Sequence, residues 1–468
     1  MKVCLIAEGC YPYITGGVSS WIHQLITGLP EIDFKVLSIM PTRNEKLVYK
    51  YPVPSNLLEI KTIFLDDYTN LVTKNINKKI HLNKRYKGVL LNFIKMNPDV
   101  NWKYVINLIV HKRKLGNSIE FLQSDLFWDI IIEYYQEKYP EESFNTFFWT
   151  YRTMLLPFIH LLQEKPLEAD IYHAVSTGYA GILGVSFSEQ AQKPYILTEH
   201  GIYAREREEE ILKANWVTGT YKKLWIDFFY FISQAAYKES EKIVSLFERN
   251  QTIQRELGAP ASLTKIIANG VDIKRYTVSK EEHSGLIVGA ILRIVPIKDV
   301  MTLIRAFKIV KETIASSKFY LIGPVDEDPD YYNQCKSLVE LLKLEYDVIF
   351  TGTVDVKDYL KLIDVMVLTS VSEGQPLVIL EAMASGIPTV STDVGSCKEL
   401  LEKDENEGPC GFITNLVSPN ETASQIIRLL KDQELREELG RNGRVRAERA
   451  FAKDIFLNEY KKIYWEFK

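Results

Sequence analysis

The chain has 468 residues, of which 46% are hydrophobic and 25% charged, and its formal net charge is −4. That composition fits a globular protein rather than a disordered one, and the length predicts two domains rather than one core. An acidic balance excludes a dedicated nucleic-acid binder, whose affinity comes from neutralising phosphates.

In chain order, the first segment is MKVCLIAEG. Its apolar run is too short for the core of a signal peptide and predicts a first strand. A Gly/Pro-rich loop follows (YPYITGG), then apolar residues at helical spacing in VSSWIHQLITGL, then a second strand in FKVLSIMP. Strand, helix and strand at this spacing predict a parallel βαβ unit. The rhythm returns at DIYHAVST, PYILTEHG and KIVSLF. Residues 66 to about 165 interrupt it. They read as helices (KGVLLNFIKM, WKYVINLIVHKRKL, LFWDIIIEYYQEKY, FFWTYRTMLLPFIHLLQE) and predict a helical insertion in the first domain. Basic residues gather at its start, in NKKIHLNKRYK (77–87). That run reads as a solvated helical face, or as a surface for an acidic or polymeric partner. No run reaches the ~18 to 20 apolar residues that a membrane span needs; LWIDFFYFISQAAY is interrupted by Asp227. The five cysteines (Cys4, Cys10, Cys335, Cys397, Cys410) are odd in number and lack C-x-x-C spacing. They argue against a disulfide framework or a zinc site and for a reducing, cytoplasmic setting.

A polar stretch near 270–285 predicts the domain boundary. The expected division is 1–278, 279–452, and a C-terminal helix over 453–468 crossing back to the first domain. Beyond the boundary the α/β rhythm restarts with strands in LIVGAI, KFYLIG, DVIFTGT, DVMVLTS, PTVSTD and GFIT. Ligands of open parallel sheets bind outside the carboxyl ends of the strands, so a binding crevice is expected between the two sheets.

The segment SEGQPLVILEAMASG (372–386) carries the most chemistry. Pro376 fits a first helical position and Gly386 a helix end, which predicts a helix over about 376–385. Its N-terminal N–H groups form an anion site. Gly374 lets backbone approach a ligand. Glu373 and Glu381 flank that terminus, and ionised carboxylates accept hydroxyl donors well. A diphosphate at the terminus with a sugar on each arm accounts for both. A helix-capping role for Glu373 and a buried ion pair for Glu381 are the structural alternatives. Arg293 and Lys298, in GAILRIVPIKDV, supply cations after the second domain's first strand. Gly16 and Gly17 open a helix in the first domain, where a simple tight turn is an equal reading. His200 ends the strand in ILTEHG, and a structural role is its alternative.

These residues resemble the retaining glycosyltransferases of family 4. The resemblance rests on Glu373-x7-Glu381 with its Gly-Gln-Pro start, Arg293 and Lys298 after GAI, and Gly16-Gly17 after the first strand. It implies the GT-B fold, with two Rossmann-like doubly wound α/β domains facing a central cleft. The segments AEGCYPYITGGVSSWIHQLI and LTEHGIYAREREEEI, with the insertion, are similar to a subgroup of that family that acts in exopolysaccharide synthesis. By this resemblance Glu381 binds the ribose hydroxyls and Glu373 a hydroxyl of the donor sugar. Arg293, Lys298, Gly16 and Gly17 hold the diphosphate with backbone N–H groups of Gln375, Pro376's successor Leu377, and the turn at Gly374. His200 contacts the donor sugar, and Thr353 and Val354 lie near the base. The implied donor is a UDP-hexose, UDP-glucose in that subgroup, with UDP as product and no cofactor or metal required. The implied acceptor is a polysaccharide. The insertion is the candidate surface for a membrane-associated synthase complex. Where the family has a glycine after the diphosphate lysine, this chain has Asp299.

Three rivals remain at this level. A glycoside hydrolase would set two carboxyls ~5 to 9.5 Å apart across one bond. An epimerase would turn over without an acceptor. A nucleotide-sugar sensor would bind without turnover.

Overall fold

The computed structural model describes residues 1–43, 47–71, 80–217, 219–281, 285–402 and 406–468. Residues 77–79 of the basic stretch and 282–284 of the expected linker lie outside the described residues. By backbone contacts the chain divides into two units, one of Met1–Ser245, Asn250–Ile266 and Lys461–Lys468, the other of Leu246–Arg249 and Ile267–Tyr460. Residues 267–278 therefore group with the second unit, earlier than the expected change at 278. The terminal helix, Lys453–Glu466, starts in the second unit, and its residues from Lys461 onward group with the first.

The first unit holds seven parallel strands: β1 (Lys2–Glu8), β2 (Asp33–Met40), β3 (Leu57–Phe64), β4 (Ile171–Ala174), β5 (Tyr195–Glu199), β6 (Lys242–Ser245) and β7 (Thr264–Ile266). Their order is β3-β2-β1-β4-β5-β6-β7. Five successive residues of β1, Val3 to Ala7, are fully buried, as befits a central strand covered on both faces. Leu5 pairs with Val36 on one side and His173 on the other. Strands β3 and β7 have no counterpart among the sequence-derived strands. LLEIKTIF alternates weakly because β3 is an edge strand with one half-exposed face, and β7 has only three residues.

The insertion is helical, as its periodicity indicates, with helices such as Lys84–Ile94, Trp102–Val110, Asp125–Lys138 and Phe144–Leu162. It shares the core of the sheet. Phe93, Trp102 and Phe158 pack with Phe231 of the helix Thr220–Glu239, with ring centroids between Phe231 and Trp102 only 5.0 Å apart. Aromatic packing of this density makes the insertion part of the domain rather than an appendage. No described helix is long and apolar enough to cross a membrane.

The second unit holds six parallel strands: β8 (Ile287–Ile291), β9 (Lys318–Ile322), β10 (Val348–Gly352), β11 (Val365–Leu368), β12 (Thr389–Thr392) and β13 (Gly411–Thr414). Their order, β10-β9-β8-β11-β12-β13, matches the first six positions of the first sheet. In each sheet the winding reverses beside the first strand, between β1 and β4 and between β8 and β11. Side chains leaving the carboxyl ends of those strands diverge there and leave space for a ligand.

His173 on β4 shows how tightly the first sheet is closed. It is fully buried, with Nδ1 2.7 Å from the Tyr464 hydroxyl and Nε2 2.8 Å from the Thr198 hydroxyl. Burial, with the nearby His200, lowers its pKa from 6.5 to about 3. The folded protein therefore holds it neutral while the unfolded chain protonates near pH 6.5. Its contribution to stability is present above pH 6.5 and is lost as pH falls toward 3, at about 1.4 kcal/mol per pH unit. His173→Asn is expected to lower stability at pH 7.5 but to lose less of what remains between pH 7.5 and 5.5. Urea unfolding of both proteins at the two pH values measures the difference.

Candidate functional site

The second unit's site is built on the adjacency of β8 and β11. After β8 the chain makes a short turn, Pro296–Lys298, before the helix Val300–Thr313. After β11 comes the loop that carries Glu373. The two loops are tied by backbone and side chain. Val371 N–H donates to Ile297 O at 2.9 Å, and the Thr369 hydroxyl reaches the carbonyls of Lys298 (3.3 Å) and Asp299 (3.1 Å). This stitching brings Lys298 against Glu373, 75 residues later. The ammonium pairs with Glu373 Oε1, which also accepts from the Ser370 hydroxyl at 2.6 Å. Both side chains are largely enclosed, 17% and 12% exposed. A pair so placed has lost hydration and regains it only through close partners.

Behind Glu373 the loop after β12 closes the turn. Gly395 has φ +53°, and a Cβ there would stand 2.1 Å from Gly374 O and 2.4 Å from Glu373 O. Only glycine lets that loop approach, and Ser396 N–H then donates to Gly374 O at 3.0 Å. The helix itself runs Leu377–Ala384 with Pro376 at its N-cap. This corrects the expected start, in which Pro376 was the first helical residue. Pro376 has extended geometry (ψ 113°) because its neighbour is anchored: the Gln375 amide oxygen accepts Asn269 N–H at 2.6 Å. Gln375 is buried, so its side chain positions the helix start. The first-turn N–H groups, Leu377 onward, face out of the helix end as such groups must.

Among the described residues, Glu381 has no lysine or arginine in hydrogen-bond contact. The Tyr276 hydroxyl donates to its Oε1 at 2.7 Å. Burial raises its pKa, and the tyrosine hydrogen bond opposes that rise. Arg293 is exposed and pairs with Glu327, on the loop after β9, at 2.7 Å. Arg293 and Lys298 thus pair with different carboxylates. Arg293 sits at the rim with a partner of its own, while Lys298 sits inside. Thr353 and Val354 follow β10; Val354 packs against the small core that also includes Tyr276, while Thr353 is exposed.

In the first unit, Gly16 is the N-cap and Gly17 the first residue of the helix Gly17–Gly28. Both are exposed and a Cβ on either would meet nothing within 4 Å. His200 lies just past β5, edge-on to Trp21 with centroids 4.9 Å apart. Its Nε2 is buried without a hydrogen-bond partner among the described residues, and burial lowers its pKa to about 4. It therefore stands as a neutral imidazole. Beside it a cavity of about 470 Å³ opens at the ends of β1, β4 and β5, lined by Glu8, Cys10, Ser176, His200, Glu206 and Arg207 among others.

Two residues here escaped the sequence reading. Glu199 is 1% exposed and accepts from Tyr237 (2.6 Å), Gln254 (3.0 Å), Thr177 (3.0 Å) and Tyr203 N–H (3.1 Å). Glu8 accepts from the Tyr203 hydroxyl at 2.8 Å. Burial raises the pKa of both. Each is a carboxylate closing an otherwise apolar strand, a signal as legible as that of His200. Tyr276 and Ser370 had no such signal, because only the fold brings them to their carboxylates.

Asp299 accounts for the departure from glycine after Lys298. It adopts the left-handed conformation, φ 45° and ψ 52°, which a glycine takes at no steric cost. Its side chain compensates by accepting Thr302 N–H at 3.3 Å, capping the following helix. Asp299→Gly exchanges strain for a weaker cap and is expected within about 1 kcal/mol of the parent. Asp299→Ala keeps the strain and loses the cap, and is expected to cost about 1–3 kcal/mol. Denaturant midpoints of the two variants test this order.

Comparison with known proteins places this geometry. Residues 1–262 match the domain of unknown function DUF3492, and residues 276–446 match the glycosyl transferases group 1. The chain is 32% identical over 195 residues to N-acetyl-alpha-D-glucosaminyl L-malate synthase of Bacillus anthracis, a match covering 41% of this chain and 48% of that protein. It is 28% identical over 301 residues to an uncharacterised glycosyltransferase of Methanocaldococcus jannaschii, covering 64% of this chain and 75% of the other. The chain thus spans about half the length of the first of these relatives. Among solved structures, Anabaena HepE in complex with UDP superposes with a TM-score of 0.66 at 16% identity over 100% of both chains. Sucrose-phosphate synthase from Thermosynechococcus elongatus gives 0.62 at 16% identity over 99% and 98% of the two chains. The shared fold is GT-B, two Rossmann-like domains in series. The chain belongs to the DUF3492 family through residues 1–262, and residues 276–446 match the glycosyl transferases group 1.

Proposed function

We propose that the chain moves a hexose from a UDP-sugar to a growing exopolysaccharide with retention of configuration, in the manner of PelF of Pel exopolysaccharide synthesis, with UDP-glucose as donor. The observation that carries the donor reading is the enclosed cluster of Lys298, Glu373 and Ser370 at the start of the helix Leu377–Ala384. A diphosphate there competes with Glu373 for the Lys298 ammonium. As the phosphate takes the lysine, Glu373 is released to accept a hydroxyl of the donor sugar. Glu381, already an acceptor of the Tyr276 hydroxyl, takes the ribose hydroxyls in the same way. The family resemblance assigns Arg293, Gly16 and Gly17 to the diphosphate, and Thr353 and Val354 to the base.

Departure of UDP is favoured because Lys298 and the helix N–H groups oppose the charge that develops on the diphosphate. The first unit serves the acceptor, with neutral His200 donating or accepting one hydrogen bond at the donor sugar. The choice of UDP-glucose and of a Pel-type product rests on the likeness of residues 7–26 and 197–211, with the helical insertion, to PelF. It is supported by the UDP-glucose found in a complex of Anabaena HepE, a protein of similar fold.

Transfer assays with UDP-glucose, with and without a glycan acceptor, test the reading. Glu373→Ala is expected to lower kcat by about 10² to 10⁴ while UDP still raises the melting temperature. Arg293→Ala is expected to weaken that UDP-dependent rise. Normal transfer by Glu373→Ala would remove the central assignment. Turnover without acceptor would favour an epimerase, sugar release from a free glycan without UDP a hydrolase, and binding with no turnover a sensor.

A further inference from the structure

Apart from the cavity beside His200, the first unit carries a cleft of about 250 Å³. It is lined mainly by Thr146, Trp149, Thr150 and Thr153 of the helix Phe144–Leu162, and by Trp216 and Trp225. Among the described residues no charged side chain lines it. The chain has seven tryptophans, and the two most exposed, Trp216 at 67% and Trp149 at 54%, both stand here. Exposed indoles brought to one concavity mark a contact surface. Both are held in place. The Arg152 guanidinium lies 5.6 Å from the centre of the Trp149 ring, and Trp216 rests edge-on against Trp225 with centroids 5.5 Å apart.

The threonines add a row of hydroxyls, because residues at this spacing share one face of a helix. The Thr150 hydroxyl donates to Thr146 O at 2.8 Å, and the Thr153 hydroxyl donates to Trp149 O at 2.7 Å. With those protons committed, the two oxygens are left as acceptors. Flat indoles and accepting oxygens in an uncharged cleft fit a neutral sugar chain, whose rings have apolar C–H faces and O–H edges. An anion finds no cation in the lining. The hydrocarbon of a bilayer would strip water from the threonine oxygens and supply no donor. The cleft is also continuous with the cavity beside His200. Trp225 and Phe229, four residues apart on the helix Thr220–Glu239, stack with centroids 6.0 Å apart. Trp225 lines the cleft and Phe229 lines the cavity, so the two concavities open against neighbouring turns of one helix.

We propose that the cleft of Trp149 and Trp216 binds a neutral oligosaccharide, as a stretch of the growing chain behind the end that enters the cavity beside His200. The identity of that oligosaccharide as acceptor rests on the transfer reading; the binding of a sugar chain by the two indoles does not. A second point of attachment keeps a long glycan at high effective concentration between successive transfers, so long acceptors are favoured over short ones.

Titration of the full chain with maltoheptaose and celloheptaose, against maltose and cellobiose, tests it by calorimetry and tryptophan fluorescence. Tighter binding of a heptaose than of its disaccharide, with a change in tryptophan emission, is expected. Trp149→Ala/Trp216→Ala is expected to weaken heptaose binding about tenfold or more. Its melting temperature and its UDP response should not change. Trp149→Phe/Trp216→Phe keeps flat rings and is expected to restore most of the binding. If the double alanine variant fails to fold, Trp216→Ala alone is expected to weaken heptaose binding. In transfer assays the alanine variant should raise KM for a heptaose acceptor more than for a disaccharide. Equal heptaose binding by parent and alanine variant, no binding of either heptaose, or an equal effect on KM for long and short acceptors would each overturn the proposal. So would indole-dependent binding to phosphatidylcholine vesicles in place of the heptaoses. Heptaose binding that needs both indoles, with no transfer from UDP-glucose, would uphold the cleft and overturn the transfer reading instead.

Discussion

The enclosed pairing of Lys298 with Glu373 is the constraint on which the second unit's site depends. The two residues are 75 positions apart and meet only because β8 and β11 are neighbours. That adjacency marks the point where the winding of the sheet reverses. Loops leaving such a point turn away from each other, so polar groups on them can converge without being covered by the next helix. The hydrogen bonds from Thr369 and Val371 hold the turn after β8 against the end of β11, and Gly395 supports the same loop from β12. A cation and a carboxylate held with so little hydration depend on each other, and on the Ser370 hydroxyl, for compensation.

The same construction recurs in the first unit, with different chemistry. Its cavity opens where β1 and β4 part, and its carboxylates, Glu8 and Glu199, accept hydrogen bonds from hydroxyl and amide donors. Glu381 in the second unit is treated likewise by Tyr276. A tyrosine hydroxyl on a carboxylate is chemically close to a sugar hydroxyl on it. These carboxylates are therefore held by O–H donors within the protein, and the burial that raises their pKa keeps water from competing.

Much of the architecture was legible from periodicity. Buried parallel strands such as VCLIA and VMVL are continuous apolar runs, and the runs bounded by Gly, Pro and Asp map onto eleven of the thirteen strands. Strands β3 and β7 were hidden, one by its weak edge pattern and one by its length. The start of the helix after Glu373 was displaced by one residue because Asn269, more than a hundred residues earlier, anchors Gln375. No local pattern encodes a contact of that kind. Arg293 and Lys298 looked equivalent in sequence, being five residues apart on one turn. The fold distinguishes them, because one side chain leaves the turn toward Glu327 and the other toward Glu373.

By itself the sequence determined the two α/β units, the helical insertion, and the residue types gathered at the strand ends. Those features follow from hydrophobic spacing and from glycine and proline chemistry, which act over a few residues. The tertiary structure decided which of the polar residues are partners. Glu381 met a tyrosine rather than a cation, and Asp299 became a strained cap. Partnership depends on strand order and on the loops that strand order brings together. Those are properties of the whole chain's packing, and no window of sequence contains them.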